Sequence, residues 1–364
     1  MSTATKPYDM SDDLTRRKIF WLLKRLTSYS LWQRKAQAWR VFTQAYEQAV
    51  KSWPEGPEVM DADLLPRIYQ MASAYEEGLD QLKRGYRFVW RQGEVFNQTI
   101  RIYNGLTRVF YRGDGWEHGI QMAPYPPKVE ALHRLMVASE YHGEWSANEV
   151  PYRPDTWAHW KSPSSLLNRK AYQFNFYELA YPVFPDLLPE VPRGAGVTIQ
   201  SGDRVPLDGI WEPVETLASK ASGLNLQDGT GGGPLACYNY LVKETQAPNL
   251  LYVSAGLRDG VRGVAVEWRL IWEDTRYRNG EIPDESEYFL SPKADRKGVT
   301  PLSGDPVEVT TGSVCPVSGT WTALGYDAPP ITMREGDTMP DLVMDKGQGE
   351  RRVHWVTWSL LGRS

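Results

Sequence analysis

Two cysteines in 364 residues, Cys237 and Cys315, are too few for a disulfide framework or a cysteine-rich zinc site, and they form no CxxC. Histidine is almost as scarce. His118, His133, His142, His159 and His354 include no HExxH or HxH pair, and His142-Gly143-Glu144 is a weak pattern by itself. No GxSxG elbow occurs to present a nucleophilic serine. The glycine run from Asp228 to Gly233 has no lysine and no helix pattern behind it, so it reads as a loop and not as a phosphate cradle. Catalytic, cofactor-binding and metal-ligating residues are therefore none on this reading. Long apolar runs are missing as well. None reaches the roughly 18 residues of a membrane span. The stretch Ile19 to Leu23 is cut off by Lys24 and Arg25 before it forms a signal-peptide core. The expectation is a cytoplasmic protein that makes no use of a membrane.

A strong charge of one sign is also lacking. The net charge is −4. Residues 1–150 carry 20 Lys+Arg against 18 Asp+Glu, which is not basic enough for direct nucleic-acid binding. Residues 151–364 carry 21 against 27, an acidic lean that suits docking on a basic protein surface and suits an ordinary solvated face equally well. Aromatic residues, in contrast, are plentiful: 15 Trp and 20 Tyr. Such rings fill cores, build protein interfaces and form sugar platforms. Glu117 beside Trp116 and Glu144 beside Trp145 resemble the acid-and-ring pairs of a glycosidase cleft. A carbohydrate- or cell-wall-binding protein, or a glycoside hydrolase, using a Trp-rich β domain is the alternative function.

The chain changes period near its middle. Ser11-Asp12-Asp13 is a helix-start signal. Ile19, Leu22, Leu23 and Leu26 follow at helical spacing, and after a break at 28–30 the stripe resumes with Trp32, Trp39, Phe42, Tyr46 and Val50. Trp53-Pro54-Glu55-Gly56-Pro57 ends it. A second helix is expected from Leu64 to Leu82, a third through Phe96, Ile100, Tyr103 and Phe110, and a fourth from Val129 to Met136. These pack most simply as a bundle. From Gly194 onward short alternating runs appear, with strands expected at 250–254, 263–272 and 352–360. The predicted fold class is α+β: a helical domain (1–150), an irregular connecting segment (151–193) and a β-rich domain (194–364).

The β-rich part repeats itself. Gly196–Trp211, Glu308–Trp321 and Ile331–Leu342 each hold a short strand followed by G-x-x-x-P, at Gly202–Pro206, Gly312–Pro316 and Gly336–Pro340. The first two continue with a second glycine (Gly209, Gly319) and a tryptophan (Trp211, Trp321). Glycine supplies a left-handed backbone position and proline ends pairing, so strand, reversal and returning strand are specified within a dozen residues. The residue before each proline is Val205, Cys315 or Met339. A cysteine that alternates with valine and methionine is a small core residue and not a reactive thiol.

The set TGSVCPVSGTW, REGDTMPDLV and VHWVTW, preceded by QSGDRVPLDGIWEPV, resembles immunity proteins of bacterial polymorphic-toxin and type VI secretion systems, in the group of immunity proteins 71 and 72. The likeness is strongest over residues 195–364, and the Arg/Trp-rich first helix is similar too. It implies a non-enzymatic cytoplasmic bacterial protein that binds one cognate toxin domain, with no cofactor and no catalytic residues to carry over. The expected binding surface lies on long excursions from the β domain. One is the glycine-rich segment 219–234. The other is 273–297, where Arg276, Tyr277, Arg278, Asp284, Glu285, Glu287 and Tyr288 mix aromatic, basic and acidic groups without an apolar period or an evident core duty.

Overall fold

A computed structural model describes residues 8–52, 62–91, 93–110, 132, 135–136, 158, 162–169, 173–174, 177–178, 181–194, 196–214, 237–253, 261–290, 307–311, 313–337, 339–340, 342–345, 351–354 and 356–363. The fold is α+β, with helices first and mainly antiparallel sheets after them. Two compact units form. One comprises Met1–Glu117, Gln121–Ala171 and Asp186–Glu285; the other comprises His118–Ile120, Tyr172–Pro185 and Ser286–Ser364. By this division the boundary expected at residue 194 falls inside the first unit, where the helices share a body with the first β module.

The long helices among the described residues of the first unit are α1 (Asp13–Leu26), α2 (Tyr29–Ser52), α3 (Leu65–Lys83) and α4 (Val95–Phe110). Asp12 caps α1: its carboxylate accepts the Thr15 N–H at 2.8 Å. The expected fourth helix lies mostly outside the described residues; Leu132, Leu135 and Met136 within it are helical. Trp21, Trp32, Trp39 and Trp90 are buried in the core. Trp32 stacks on Phe96 with ring centroids 4.0 Å apart. The Trp39 indole donates to the Ile68 carbonyl at 3.0 Å and so ties α2 to α3. Gly78 of α3 lets the Phe96 ring lie against the helix backbone, since an added Cβ there would fall 2.2 Å from the ring.

The strands are β1 (Gln173–Phe174), β2 (Tyr177–Glu178), β3 (Thr198–Gln200), β4 (Gly209–Val214), β5 (Asn239–Leu241), β6 (Leu250–Val253), β7 (Val261–Val264) and β8 (Glu267–Glu273). They continue as β9 (Glu308–Thr310), β10 (Gly319–Ala323), β11 (Ile331–Met333), β12 (Leu342–Asp345), β13 (Arg351–His354) and β14 (Thr357–Arg363). One sheet has the order β3-β8-β4-β5 and another β9-β14-β10-β11. The hairpins β6–β7 and β12–β13 match likewise, the second being extended by β2 and β1. Strand for strand, 198–273 and 308–363 are two copies of one module. The segments expected at 263–272 and 352–360 each prove to be two strands, with Val266 and Val356 at the junction.

The copies agree in their irregularities too. The β4–β8 register shifts between Ile210 and Trp211, and the β10–β14 register shifts between Thr320 and Trp321. The Trp268 indole donates to the Pro248 carbonyl at 2.8 Å, and the Trp358 indole to the Pro340 carbonyl at 2.7 Å. Ser201 Oγ and Thr311 Oγ1 donate to those same proline carbonyls and accept the N–H of Val266 and Val356. Gly209 and Gly319 lie so near the neighbouring strand that an added Cβ would fall 2.1 Å from the Trp272 carbonyl oxygen and 2.3 Å from that of Gly362.

Each module is closed by two turns that cross. In the first, Val205 N–H donates to Thr245 O and Ala247 N–H to Asp203 O, while Glu244 N–H donates to Val205 O and Gly202 N–H to Ala247 O. Exchanging 202–206 with 244–248 maps this set of bonds onto itself. In the second module the corresponding donors and acceptors are Cys315 to Asp337, Met339 to Ser313 and Gly336 to Cys315. The turn at Gly336 thus answers to Glu244-Thr245-Gln246-Ala247-Pro248, a fourth copy that sequence reading missed because glutamate stands where the others have glycine. Gly202 and Gly336 take φ of +93° and +90°; Gly312 lies outside the described residues. Glu244 takes φ 70°, a left-handed position that costs a non-glycine residue roughly 1–2 kcal/mol. Val205, Cys315 and Met339 are all buried in the module cores.

Cys315→Val puts the first module's residue into the second and should cost less than about 1.5 kcal/mol. Gly319→Ala drives a Cβ against fixed backbone and should cost about 1–3 kcal/mol. Urea unfolding midpoints of the two variants check the order, and a cysteine variant that loses more than the glycine variant contradicts it.

Candidate functional site

Residues 274–285 follow β8 and belong to the excursion at 273–297 that was expected to carry a binding surface. They form a strut in which residues 275, 278–281, 283 and 284 are exposed while Asp274, Arg276, Tyr277 and Glu285 turn inward. Asp274 begins it, fully buried, with its N–H on the Asp208 carbonyl at 2.9 Å. Three groups reach its carboxylate. Arg87 Nε lies 3.0 Å from Oδ2 and Nη2 lies 3.1 Å from Oδ1. Arg276 Nη2 lies 2.8 Å from Oδ2. The Tyr240 hydroxyl donates to Oδ2 at 2.8 Å. Burial by itself would push the Asp274 carboxyl up, but the positive charges of Arg276 and Arg87 override it and hold the group well below the usual carboxylate range. Burial also pushes the Tyr240 hydroxyl well above its ordinary value, with the Asp274 charge adding to the effect, so it stays a donor.

Arg87 is delivered by the end of α3. Gly85 turns the chain at φ +84°, and Tyr86 N–H closes the turn on the Gln81 carbonyl at 3.1 Å. The same glycine is needed for a close approach, because an added Cβ would lie 3.0 Å from the Arg278 Cα. Arg87 Nη2 also donates to the Arg276 carbonyl at 2.7 Å.

Beyond Asp274 the strut serves two helix ends. Arg276 donates to the Lys24 carbonyl at 2.9 Å and to the Thr27 carbonyl at 3.1 Å, placing a cation at the C-terminus of α1. The Tyr277 hydroxyl accepts the Tyr29 N–H at 2.7 Å and donates to Glu285 Oε1. Glu285 Oε2 accepts the Ser30 N–H at 2.8 Å, placing an anion at the N-terminus of α2. One segment therefore supplies opposite charges to the two helix ends that meet at Thr27-Ser28. Burial pushes the Tyr277 phenol far up, and its backbone sits at φ 67°.

The expectation that this segment has no core duty is thereby corrected. Arg276, Tyr277 and Glu285 are brought together, but in internal bonds, and Tyr288 is buried as well. Arg278, Asp284 and Glu287 remain exposed. Arg278 pairs with Glu273 at 2.8 Å. A shallow open depression runs along residues 275–279 and 281–283. The loop at 219–234, the Asp228 glycine run and the pairs at 116–117 and 144–145 lie outside the described residues. Among the described residues, no group of three His, Cys, Asp or Glu side chains stands together to hold a metal. No described helix is long and apolar enough to cross a membrane. Among the described residues, Trp21, Trp32, Trp39, Trp90, Trp211, Trp268, Trp321 and Trp358 are fully buried, and none of these offers a sugar platform.

Helices keyed by a buried charge hub to the first of two like β modules define the first unit of an α+β protein. The helical region matches the family model Immunity protein 71 over residues 10–160, and the first β module with its strut matches Immunity protein 72 over residues 190–290. The two matches together span most of the chain, which belongs among the immunity proteins of the polymorphic-toxin group. No curated protein and no solved structure matches it. Arg87 lies in the one matched region and Asp274 in the other. The second module lies outside both matches and repeats the architecture of the first.

Replacing Asp274 with Asn leaves two buried guanidinium groups short of a countercharge and should cost about 3–5 kcal/mol. The pH dependence has a definite sign. The folded pKa lies below the unfolded value of about 3.9, so the stabilisation is present above that value and is lost as pH falls from it toward the folded value. Urea unfolding from pH 7 to pH 3 should show a steeper acid loss for the native chain than for Asp274→Asn. Parallel curves contradict the hub.

Proposed function

We propose that the protein binds and neutralises a cognate toxin domain in the bacterial cytoplasm by occupying it, without catalysis. The toxin would be one delivered between competing bacteria, as by type VI secretion. The two immunity-family matches carry this reading. Exposed turn tips held by backbone bonds within each β module also suit it, because a preorganised surface loses little freedom on docking. Arg278, Asp284 and Glu287 are the members of the expected surface that are exposed, and we assign them to the partner-facing side. Glu285 is not among them, since its carboxylate is committed to α2.

Where an adjacent gene encodes a toxin domain, co-expression with that domain should restore growth and yield a complex that co-purifies. Growth arrest with the folded protein present, and no complex, contradicts the reading. Within that complex, reversing charge together at Asp284→Lys and Glu287→Lys should weaken binding more at low than at high ionic strength, since exposed charges are screened by salt. Native-like affinity of the double variant at low salt removes these two acids from the interface.

A further inference from the structure

The crossing turns are alike in backbone and differ at their tips. Gly336 occupies a left-handed position with open space around its Cα. In the first module the same position is Glu244, at φ 70°. Its carboxylate pairs with Arg204 at 3.0 Å, but the side chains of Arg204 and Glu244 are 75% and 44% exposed. An exposed ion pair contributes little to stability, too little to offset left-handed strain. Glycine would serve the fold better at position 244. A strained residue kept where an unstrained one is available points to function.

The tip is also held rigidly. Below Glu244, its N–H is bound to the Val205 carbonyl at 2.9 Å. The Lys243 N–H is bound to Asp208 Oδ1 at 2.7 Å, and the Lys243 carbonyl accepts from Arg91. Asp203 Oδ2 accepts the Gln200 N–H at 2.8 Å. The stem thus presents Asp203, Arg204, Lys243 and Glu244 to solvent with little freedom left to lose. The corresponding tip of the second module has Ser313, Val314, Glu335 and Gly336, with exposed Arg334 beside them where the first module has buried Val242.

We propose that the tip centred on Arg204 and Glu244 is a docking surface for the cognate toxin domain. The matching toxin surface carries both signs of charge: a carboxylate facing Arg204 and Lys243, and a cation facing Glu244. This inference rests on the reading of the chain as an immunity protein. It adds a surface that is separate in sequence from residues 276–288.

The test uses the full chain and the purified toxin domain. Glu244→Gly should unfold at the same or a higher urea concentration than the native chain, while its affinity for the toxin falls at least fivefold by calorimetric titration. Arg204→Gln leaves the strained backbone untouched and should show the same loss. A Glu244→Gly protein that binds within fivefold of the native chain overturns the proposal. So does one that is less stable, because the residue then serves the fold. If Glu244→Gly does not fold, Arg204→Gln decides alone by the same fivefold limit. The native chain in the same titration separates the two levels of inference: no binding by it defeats the immunity reading itself, whereas undiminished binding by the variants defeats only this surface.

Discussion

The carboxylate of Asp274 lies where an unpaired charge would cost several kcal/mol, and its two oxygens are shared among Arg87, Arg276 and Tyr240. Each partner brings a different part of the first unit. Arg87 follows α3, Tyr240 belongs to β5, and Arg276 lies on the strut that reaches the ends of α1 and α2. Aromatic contacts run beside these bonds: Trp90 meets Tyr240 edge-on with centroids 5.7 Å apart, and Phe20 meets Trp272 likewise at 6.2 Å. Apolar packing supplies most of the cohesion, but it is non-directional. The hub selects one seating of helices against sheet among those that packing alone would tolerate.

Duplication of the β module separates what the fold needs from what is free to vary. Both copies retain the glycine under the register shift, the hydroxyl that bridges two strands, and the indole that donates to a proline carbonyl. The hydroxyl and the indole answer buried backbone groups that need a partner, and the glycine makes room for a neighbouring carbonyl. What differs is outside: a charged tip in one copy, Val314 at 65% exposure in the other.

Much of this was legible from residue order. The apolar stripes marked α1 to α4 because amphipathic helices write their period locally. The G-x-x-x-P motif marked the turns because left-handed glycine and fixed-φ proline are local demands. Cys315 was legible as core because its counterparts are Val205 and Met339. What escaped was non-local. Arg87 and Asp274 stand 187 positions apart, and no spacing rule joins them. The strut looked solvated because its polar residues follow no period; their partners are helix ends, whose unsatisfied groups are invisible in a list of side chains. The fourth turn escaped because Glu244 breaks the motif while keeping its backbone shape.

The crossing turns also bear on how each module assembles. Joining them closes a loop of chain, from Val205 to Thr245 in the first copy and from Cys315 to Asp337 in the second. The first loop is nearly twice as long, and its closure costs about 0.5 kcal/mol more in chain entropy. The same knot of backbone bonds is thus reached from a less constrained chain in the first module. The second has the shorter search, so that two copies of one architecture enter folding with unequal nucleation barriers.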